Sequence, residues 1–488
     1  MADEIIIIPE ESKILDILLN EYKMARYPEQ EENAIDLLRE LVNELSSLSS
    51  LPNEGDIISF LMRRISEIDD LLTAQINEIL HHPDFQKLEG SWRGLYYFVM
   101  NTETSTTLKI RVLNSSLKDL KDDLSKAIEF DQSALFKKIY EEEYGTFGGT
   151  PYSCLIGDFY FTNHPQDIGF LENISGLAAA AHTPFMASIS PLFFNLDHFE
   201  NIPLPRDLAK IFESPDYIKW NSFRNTEDSR YVSLLLPRVL MRLPYGPNTL
   251  PVEAFNFTEN VGVGDTDKFC WGNPAYALGQ RITNAFAHYK WTAAIRGVEG
   301  GGVVEGLPTY VFKTLDGDMT VKCPTEVAIT DRREKELSDL GFITLCYSKG
   351  SDFAVFFGAQ TTQKPKIYNL DEANANSSIS ARITYMLVSS RFAHYIKVIM
   401  RDKIGSFLTK ENVENYLNTW LAQYILLNDD APKEVKSQYP LREGRIDVYD
   451  EPGKPGSYKS VIYLRPHFQM EELTASIRLV ATLPARAG

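Results

Sequence analysis

The sequence predicts a mixed α/β protein built from several domains. Three observations predict it. Residues 101–370 alternate strand-like and helix-like runs in a β-α-β order, which points to a layered α/β region. The first hundred residues repeat apolar positions at helical spacing. The last fifty hold runs rich in β-branched and aromatic residues, broken by Pro and Gly. A chain of 488 residues is too long for one simple core. These zones set three expected domains: an N-terminal helical module at 1–100, a central α/β region at 101–370, and C-terminal helices with a β tail at 371–488.

In the first zone, Ile14, Leu15, Ile17, Leu18 and Tyr22 form one helical stripe. Ile35, Leu37, Leu38, Leu41, Val42 and Leu45 form a second, and Ile57, Leu61, Ile65, Ile68, Leu72, Ile76 and Leu80 a long third. A serine-rich breaker ending in Pro52, Asn53 and Gly55 separates the last two. Residues 1–50 hold twelve acids and four bases, a local charge of −8. Such a module either offers one face to a partner or caps the chain's own core.

In the central zone, Leu108–Leu113 reads as a strand, Ser116–Ile128 and Ser133–Tyr140 as helices, and Tyr152–Phe161 as a strand. Pro165–Ala181 reads as a helix and Phe185–Ile189 as a strand. Residues 200–270, rich in Pro, Asn, Asp and aromatics, predict long ordered loops. The alternation resumes at Glu326–Ile329, Phe342–Tyr347 and Phe353–Phe357. After a linker at Gln360–Asp371, a long helix is expected over Ser378–Lys403, stopped by Gly405, and another over Lys410–Leu427.

The tail predicts three strands, Arg445–Tyr449, Ser460–Arg465 and Leu473–Val480. A strand edge is a row of free N–H and C=O groups that a neighbour's strand can complete. These strands either form an ordinary sheet within one chain or are shared between chains. About five added backbone hydrogen bonds, each worth roughly 0.5–1.5 kcal/mol net, would make a shared link several kcal/mol strong.

Composition narrows the function. A net charge of −18 disfavours nucleic acid and anionic membrane surfaces, which need clustered Lys and Arg. The four cysteines, Cys154, Cys270, Cys323 and Cys346, form no CxxC pair and fit a reducing cytosol. No window approaches the length of a membrane span, and the acidic start lacks a basic signal region, so a soluble cytoplasmic protein without membrane insertion is expected.

Catalytic signatures are missing: there is no GxxxxGK[ST], no GxGxxG after a strand, no HExxH and no GxSxG. The eight histidines lack metal-ligand spacing. Neither a metal nor a cofactor is expected. Gly297–Gly302 is Gly-rich, but Glu299 and Glu305 would repel a phosphate, so a tight loop is expected there. Asp316-Gly317-Asp318 lacks the remaining acids of a calcium loop and predicts a turn.

Thr330–Gly341 predicts a short charged helix, with Asp331 and Glu334 at capping-box spacing and Gly341 just past the end. Leu337 and Leu340 point one way, Arg332, Lys335, Ser338 and Asp339 the other. It is either a solvated connector or a docking helix whose acids meet a basic partner.

Several segments are specific enough to carry a resemblance. They include Leu88-Glu89-Gly90-Ser91-Trp92-Arg93-Gly94-Leu95, Glu143-Tyr144-Gly145-Thr146-Phe147-Gly148-Gly149 and Arg242-Leu243-Pro244-Tyr245-Gly246. Arg296–Gly302, Arg332-Arg333-Glu334-Lys335-Glu336-Leu337, Ser390-Arg391-Phe392-Ala393-His394-Tyr395 and Leu464-Arg465-Pro466-His467-Phe468 join them. From about residue 80 onward the chain resembles the large subunit of the type VI secretion contractile sheath, the TssC/VipB family. The resemblance implies a structural role without enzymatic activity, in the bacterial cytoplasm. It implies a small sheath subunit of the TssB/VipA type as partner, pairing with the N-terminal module, and neighbouring sheath protomers that share strands. It also implies an inner tube of Hcp rings, a baseplate, and a ClpV-type AAA+ ATPase that acts mainly through the small subunit.

By the same resemblance, Glu334, Glu336 and Asp339 are expected to face the inner tube. Arg445, Ile446, Val448, Val461, Ile462, Tyr463, Ile477 and Leu479 are expected in the inter-protomer strands, with Ile5–Ile8 a possible donor. Two rival readings remain: an α/β enzyme with its site near Gly297–Gly302, and a phage-like contractile tail sheath.

Overall fold

A computed structural model describes residues 24, 27–46, 54–127, 129–262, 264–313, 319–406, 409–428, 430–450, 452, 458–467 and 469. The expected elements at Ile5–Ile8, Ile14–Tyr22 and Leu473–Val480, the last with Ile477 and Leu479, lie outside the described residues. The chain divides into two compact units, residues 1–80 with 245–260, and residues 81–244 with 261–488.

The first unit holds helices α1 (Glu31–Ser46) and α2 (Glu54–Leu80), joined by an ion pair between Glu44 and Arg64. The loop 245–260 is fastened to α2 by polar side chains. Asn77 donates to the Thr258 carbonyl at 3.3 Å and accepts from the Asn260 amide at 2.8 Å. Along α2, Ile58, Met62, Ile65, Ile68, Leu71 and Leu72 are exposed, an apolar stripe uncovered among the described residues.

The second unit contains, in order, α3 (Pro83–Met100), α4 (Leu117–Lys126), a π-helical turn Lys137–Tyr144, β1 (Leu155–Phe161), α5 (Pro165–Ala181), β2 (Phe185–Ile189), α6 (Ile218–Arg224) and β3 (Val232–Leu236). The short pair β4 (Val239–Leu240) and β5 (Trp271–Gly272) precedes α7 (Pro274–Tyr289) and β6 (Val303–Val304). A hairpin of β7 (Tyr310–Lys313) and β8 (Met319–Lys322) leads to α8 (Asp331–Asp339), β9 (Phe342–Tyr347) and β10 (Ala354–Phe356). Helices α9 (Asp371–Ser380), α10 (Ile383–Asp402), α11 (Lys410–Ala422) and α12 (Lys433–Gln438) precede the terminal hairpin, β11 (Leu441–Asp450) and β12 (Tyr458–Pro466).

Six strands make the main sheet in the order β1-β2-β3-β9-β10-β6. β1, β2, β3 and β9 run parallel, and β10 and β6 close one side antiparallel. Side chains alternate between two cores, as strand geometry requires. Phe185, Ala187, Ile189, Val232, Leu234, Leu236 and Phe342 join Ile168, Leu171 and Ile174 of α5 on one face. Met186, Leu235, Ile343, Leu345 and Phe356 join Ala275, Leu278 and Ile282 of α7 and Leu387 of α10 on the other. This two-sided burial makes the mixed α/β class predicted from the sequence.

Three helices begin the same way, with a polar cap followed by Pro at the first helical position, where a missing N–H costs nothing. His82 before Pro83, His164 before Pro165 and Asn273 before Pro274 each accept an amide two residues on.

Several expected elements change. Leu108–Leu113 is not a strand: among the described residues no ladder partner meets it. Arg111 is instead tethered through its guanidinium to Glu143, Tyr152 and Thr150. Glu326–Ile329 is not one either, because Glu326 is drawn into a bidentate pair with Arg238, both contacts at 2.7 Å. The helix expected over Ser378–Lys403 breaks at Ala381 and Arg382. There the Thr361 amide takes the Ala381 carbonyl and the Ile383 amide takes the Ala359 carbonyl, each at 2.9 Å. The residues 360–363 of the expected linker are buried.

Candidate functional site and assembly surfaces

The terminal hairpin is built on α11. β11 and β12 pair from Glu443 opposite Arg465 to Asp450 opposite Tyr458. Ile446 and Val448 bury their side chains against Val413, Leu417 and Leu421 of α11, with Ile462 and Leu464 partly buried beside them. The opposite face exposes Tyr449, Val461 and Tyr463. Arg445 lies over the Tyr463 ring at 5.0 Å and pairs with Asp447 at 2.9 Å.

The two edges of this hairpin differ. On β11, the Ile446 amide donates to Asn418 Oδ1 at 3.0 Å, and Asn418 Nδ2 donates to the Ile446 carbonyl at 2.8 Å. The Val448 amide donates to Glu414 Oε2 at 3.1 Å. Nearer its start, the Leu426 amide donates to the Leu441 carbonyl, and the Leu441 amide to the Tyr424 carbonyl. The β11 edge is therefore closed. Since Ile446 points its polar groups away from β12, its partner Ile462 does the same in an antiparallel pair. Ser460, Ile462 and Leu464 thus aim N–H and C=O outward, and among the described residues nothing bonds them there. Of the expected inter-protomer residues, Arg445, Ile446, Val448, Val461, Ile462 and Tyr463 all fall on this hairpin.

The charged helix α8 is less acidic at its surface than its sequence suggests. Thr330 is its N-cap and makes no side-chain cap bond, so the expected Asp331/Glu334 capping box does not form. Leu337 and Leu340 are buried as expected, and so is Arg333. Glu336 is turned inward. Its carboxylate takes Arg333 Nη1 at 2.5 Å and the Leu208 amide, while Arg333 also reaches the Pro203 carbonyl at 3.2 Å. Glu336 still lines a cleft beside α8. Glu334 is half-buried, and burial holds its carboxyl above the usual range against the pull of Arg296. Asp339 is exposed and lies 3.9 Å from Lys335. Its main-chain carbonyl accepts from the buried Arg224 at 2.9 Å, which fixes the end of the helix.

A shallow cleft of about 600 Å³ combines Arg332, Lys335 and Asp339 of α8 with Arg206, Asp207 and Lys210. Four cations meet Asp207 and Asp339, while Glu336 is paired with Arg333. Arg206 and Lys210 lie over a hundred residues upstream of α8 in sequence, so no local pattern announces them.

The Gly297–Gly302 run closes as a tight turn on the sheet edge. The Gly297 amide takes the Phe356 carbonyl at 2.7 Å, and the Phe356 amide takes the Gly302 carbonyl at 3.0 Å. A Cβ at Gly302 would lie 2.7 Å from that Phe356 oxygen, so the close approach requires glycine. A cleft of about 730 Å³ adjoins it, lined in part by Arg296, Glu299, Glu334 and Arg382. Among the described residues no cluster of His, Cys, Asp and Glu has metal-binding geometry.

Two tail-sheath family models match the chain. The EvpB/VC_A0108 tail sheath N-terminal domain matches residues 62–363, and the tail sheath gpW/gp25-like domain matches 372–483. The chain belongs to the VipB tail-sheath family. It is 46% identical over 482 residues to type VI secretion system sheath protein TssC1 of Pseudomonas aeruginosa, covering 97% of this chain and 95% of that protein. Among solved structures, the anti-feeding prophage baseplate aligns with 80% of this chain and 87% of its own at 11% identity and TM-score 0.38. The contracted helical sheath of the same particle aligns with 63% of this chain and 66% of its own at 12% identity and TM-score 0.32.

As a VipB-family member the chain is a structural subunit of the type VI secretion contractile sheath and not an enzyme. The rival enzyme with its site at Gly297–Gly302 is not favoured. Among the described residues no helix is long and apolar enough to cross a membrane.

Proposed function

We propose that this subunit polymerises by completing its terminal hairpin with strands from neighbouring protomers along the β12 edge. The observation that carries this reading is the asymmetry of the hairpin: β11 is closed by Asn418 and Glu414, while Ser460, Ile462 and Leu464 have no outward partner among the described residues. A two-stranded sheet is marginal alone and gains from a third strand. Ile477 and Leu479 of the expected third strand, and Ile5–Ile8 as a possible donor, lie outside the described residues.

The small sheath subunit of the TssB/VipA type pairs with the N-terminal helical part. The apolar stripe on α2 supports this, as does a second one on α3, where Leu88, Trp92, Tyr96 and Met100 are exposed. The opposite side of α3 is pinned: a Cβ at Gly90 would meet the Trp271 carbonyl at 2.3 Å and one at Gly94 the Tyr276 ring at 2.6 Å. The stripe therefore cannot turn inward.

The α8 region faces the inner tube of Hcp rings. Asp339 and the paired Glu336 line that surface with Arg206, Lys210, Arg332 and Lys335, so the contact is of mixed charge, and Glu334 lies on the adjoining cleft with Lys335 and Asp339. The assembly sits in the bacterial cytoplasm on a baseplate, and a ClpV-type ATPase recycles it mainly through the small subunit. Interfaces formed at assembly hold the extended sheath until one ring is triggered. Co-expression with a small subunit followed by electron microscopy tests the reading. Tubes support it, and a soluble monomer that binds no partner overturns it.

A further inference from the structure

The side of α10 that faces the α/β body carries a buried cluster of imidazole and phenol rings. His394 is 2% exposed, and its Nε2 donates to the Ala181 carbonyl at 2.9 Å, at the end of α5. That bond fixes the tautomer, and the other ring nitrogen, Nδ1, is buried with no partner among the described residues. His182, the left-handed residue that ends α5, pairs through Nδ1 with the Tyr231 hydroxyl at 3.1 Å. The two imidazoles lie 6.4 Å apart, and the Tyr144 ring sits 5.3 Å from His394 and 6.1 Å from His182.

Cations surround this cluster. Lys397 Nζ lies 3.3 Å from the centre of the Tyr144 ring and 4.8 Å from that of Tyr140. Arg401 donates to the Tyr144 and Thr146 carbonyls at 2.9 and 2.7 Å, clamping the end of the π-helical turn. Arg391 completes the set on α10. The nearby acid, Asp228, acts with Arg230 on Tyr231, and no carboxylate acts on either imidazole.

We propose that His394 and His182, packed on Tyr144 beneath Lys397, form an acid-released latch between the gpW/gp25-like domain and the α/β body. The residues of α10 belong to the stretch matching the first of these, and Tyr144, Ala181 and His182 to the stretch matching the tail sheath N-terminal domain. Protonating His394 creates a buried N–H with no acceptor and adds a third like charge beside Lys397 and Arg391. Burial pushes His394 down to about 4, and Arg391, His182 and Lys397 push the same way against the Ala181 carbonyl. Burial, then Lys397, lowers His182 as well. A base whose folded value lies below its unfolded one binds protons more readily when released. The latch is therefore intact above the usual imidazole range, and its hold falls as pH drops toward 4. On the other side of α10, Phe392 stacks on Trp291 at 4.4 Å beside the rings of Tyr395 and Tyr424, which do not gain charge in acid. Acid thus frees one side of the joint and leaves the helix docked on the other.

Hydrogen exchange on the full chain co-expressed with its small subunit tests this, comparing about pH 7.5 with about pH 4.5 after correction for intrinsic rates. Exchange within 137–147 and 178–183 is expected to rise at least roughly tenfold on acidification, while 441–450 changes little. His394→Gln, whose amide keeps the donor to Ala181 and cannot charge, is expected to abolish that rise. Unchanged wild-type protection, or equal opening of wild type and H394Q, overturns the latch. Should H394Q not fold, NMR titration of labelled histidine in the wild type decides: a His394 signal still neutral at about pH 5.5 supports the proposal, and one titrating near the ordinary value of about 6.5 overturns it.

Discussion

Asn418 grips Ile446 by both backbone groups, taking its amide at 3.0 Å and giving to its carbonyl at 2.8 Å. One side chain thus does on the edge of β11 what a third strand would do. It closes that edge, and among the described residues the outer edge of β12 has no such cover, which is where the proposed strand addition would occur.

Asn418→Ala removes this substitute and leaves a buried amide and carbonyl without partners. Each such loss costs about 1–3 kcal/mol, so a loss of roughly 2–6 kcal/mol is expected. Thermal or denaturant melting of the small-subunit heterodimer checks it. The variant is also expected to aggregate, because a second edge opens. A melting curve that matches wild type would show that α11 closes the edge by packing alone.

Ser460→Pro addresses the other edge. The Ser460 N–H points away from β11 and its side chain is exposed, so proline removes an outward donor while sparing the hairpin's own ladder. The heterodimer is expected to stay soluble, with a stability change within about 1 kcal/mol. Truncation at Pro466 should act in the same direction and more strongly. It also removes His467 and Gln469, whose backbone groups bond the Tyr385 hydroxyl, and the Gln469 side chain, which donates to the Ala293 carbonyl at 2.8 Å.

On α8, Glu336 and Asp339 separate by role. Glu336→Gln weakens the buried pair with Arg333 and should cost about 1.5–3 kcal/mol of stability. Asp339→Lys, at an exposed position, should leave stability within about 0.5 kcal/mol yet weaken assembly around the inner tube. Lys210→Glu with Arg332→Glu should weaken it further and change its salt dependence. Melting curves beside tube-binding assays distinguish these outcomes. Unchanged tube assembly in every surface variant would remove α8 from the inner-tube contact.

Trp92→Ala with Tyr96→Ala should leave the fold intact, since both rings are about two-thirds exposed. Affinity for the small subunit should fall at least about tenfold, the usual consequence of losing aromatic anchors. Titration calorimetry or quantitative pull-down measures it. Gly94→Val is the contrasting control. Its side chain would strike the Tyr276 ring and should destabilise by several kcal/mol.

Much of this architecture was legible in the sequence. Pro165–Ala181 and Phe185–Ile189 fall where periodicity puts them, because proline starts α5 and the strand is apolar but for Ser188. Other parts were hidden. Val232–Leu236 lies within a stretch dense in turn residues, and only its place between β2 and β9 makes it a central strand. Leu108–Leu113 has strand composition, but its nearest anchors are side chains, not a ladder. The charge of the α8 surface differs from the sequence reading because burial, invisible in sequence, takes Arg333 out of it, Glu336 is occupied by its pair with Arg333, and a distant loop brings in Arg206 and Lys210. The β tail was visible as strands. Which of its edges is closed depends on Asn418 and Glu414, more than twenty residues upstream, whose spacing to the tail carries no signal.

Electron microscopy of the chain co-expressed with its small subunit, wild type beside Ser460→Pro, bears most directly on polymerisation through the β12 edge. The account predicts sheath tubes for wild type and soluble heterodimers without tubes for the variant. Tubes of normal length and number from Ser460→Pro would contradict it.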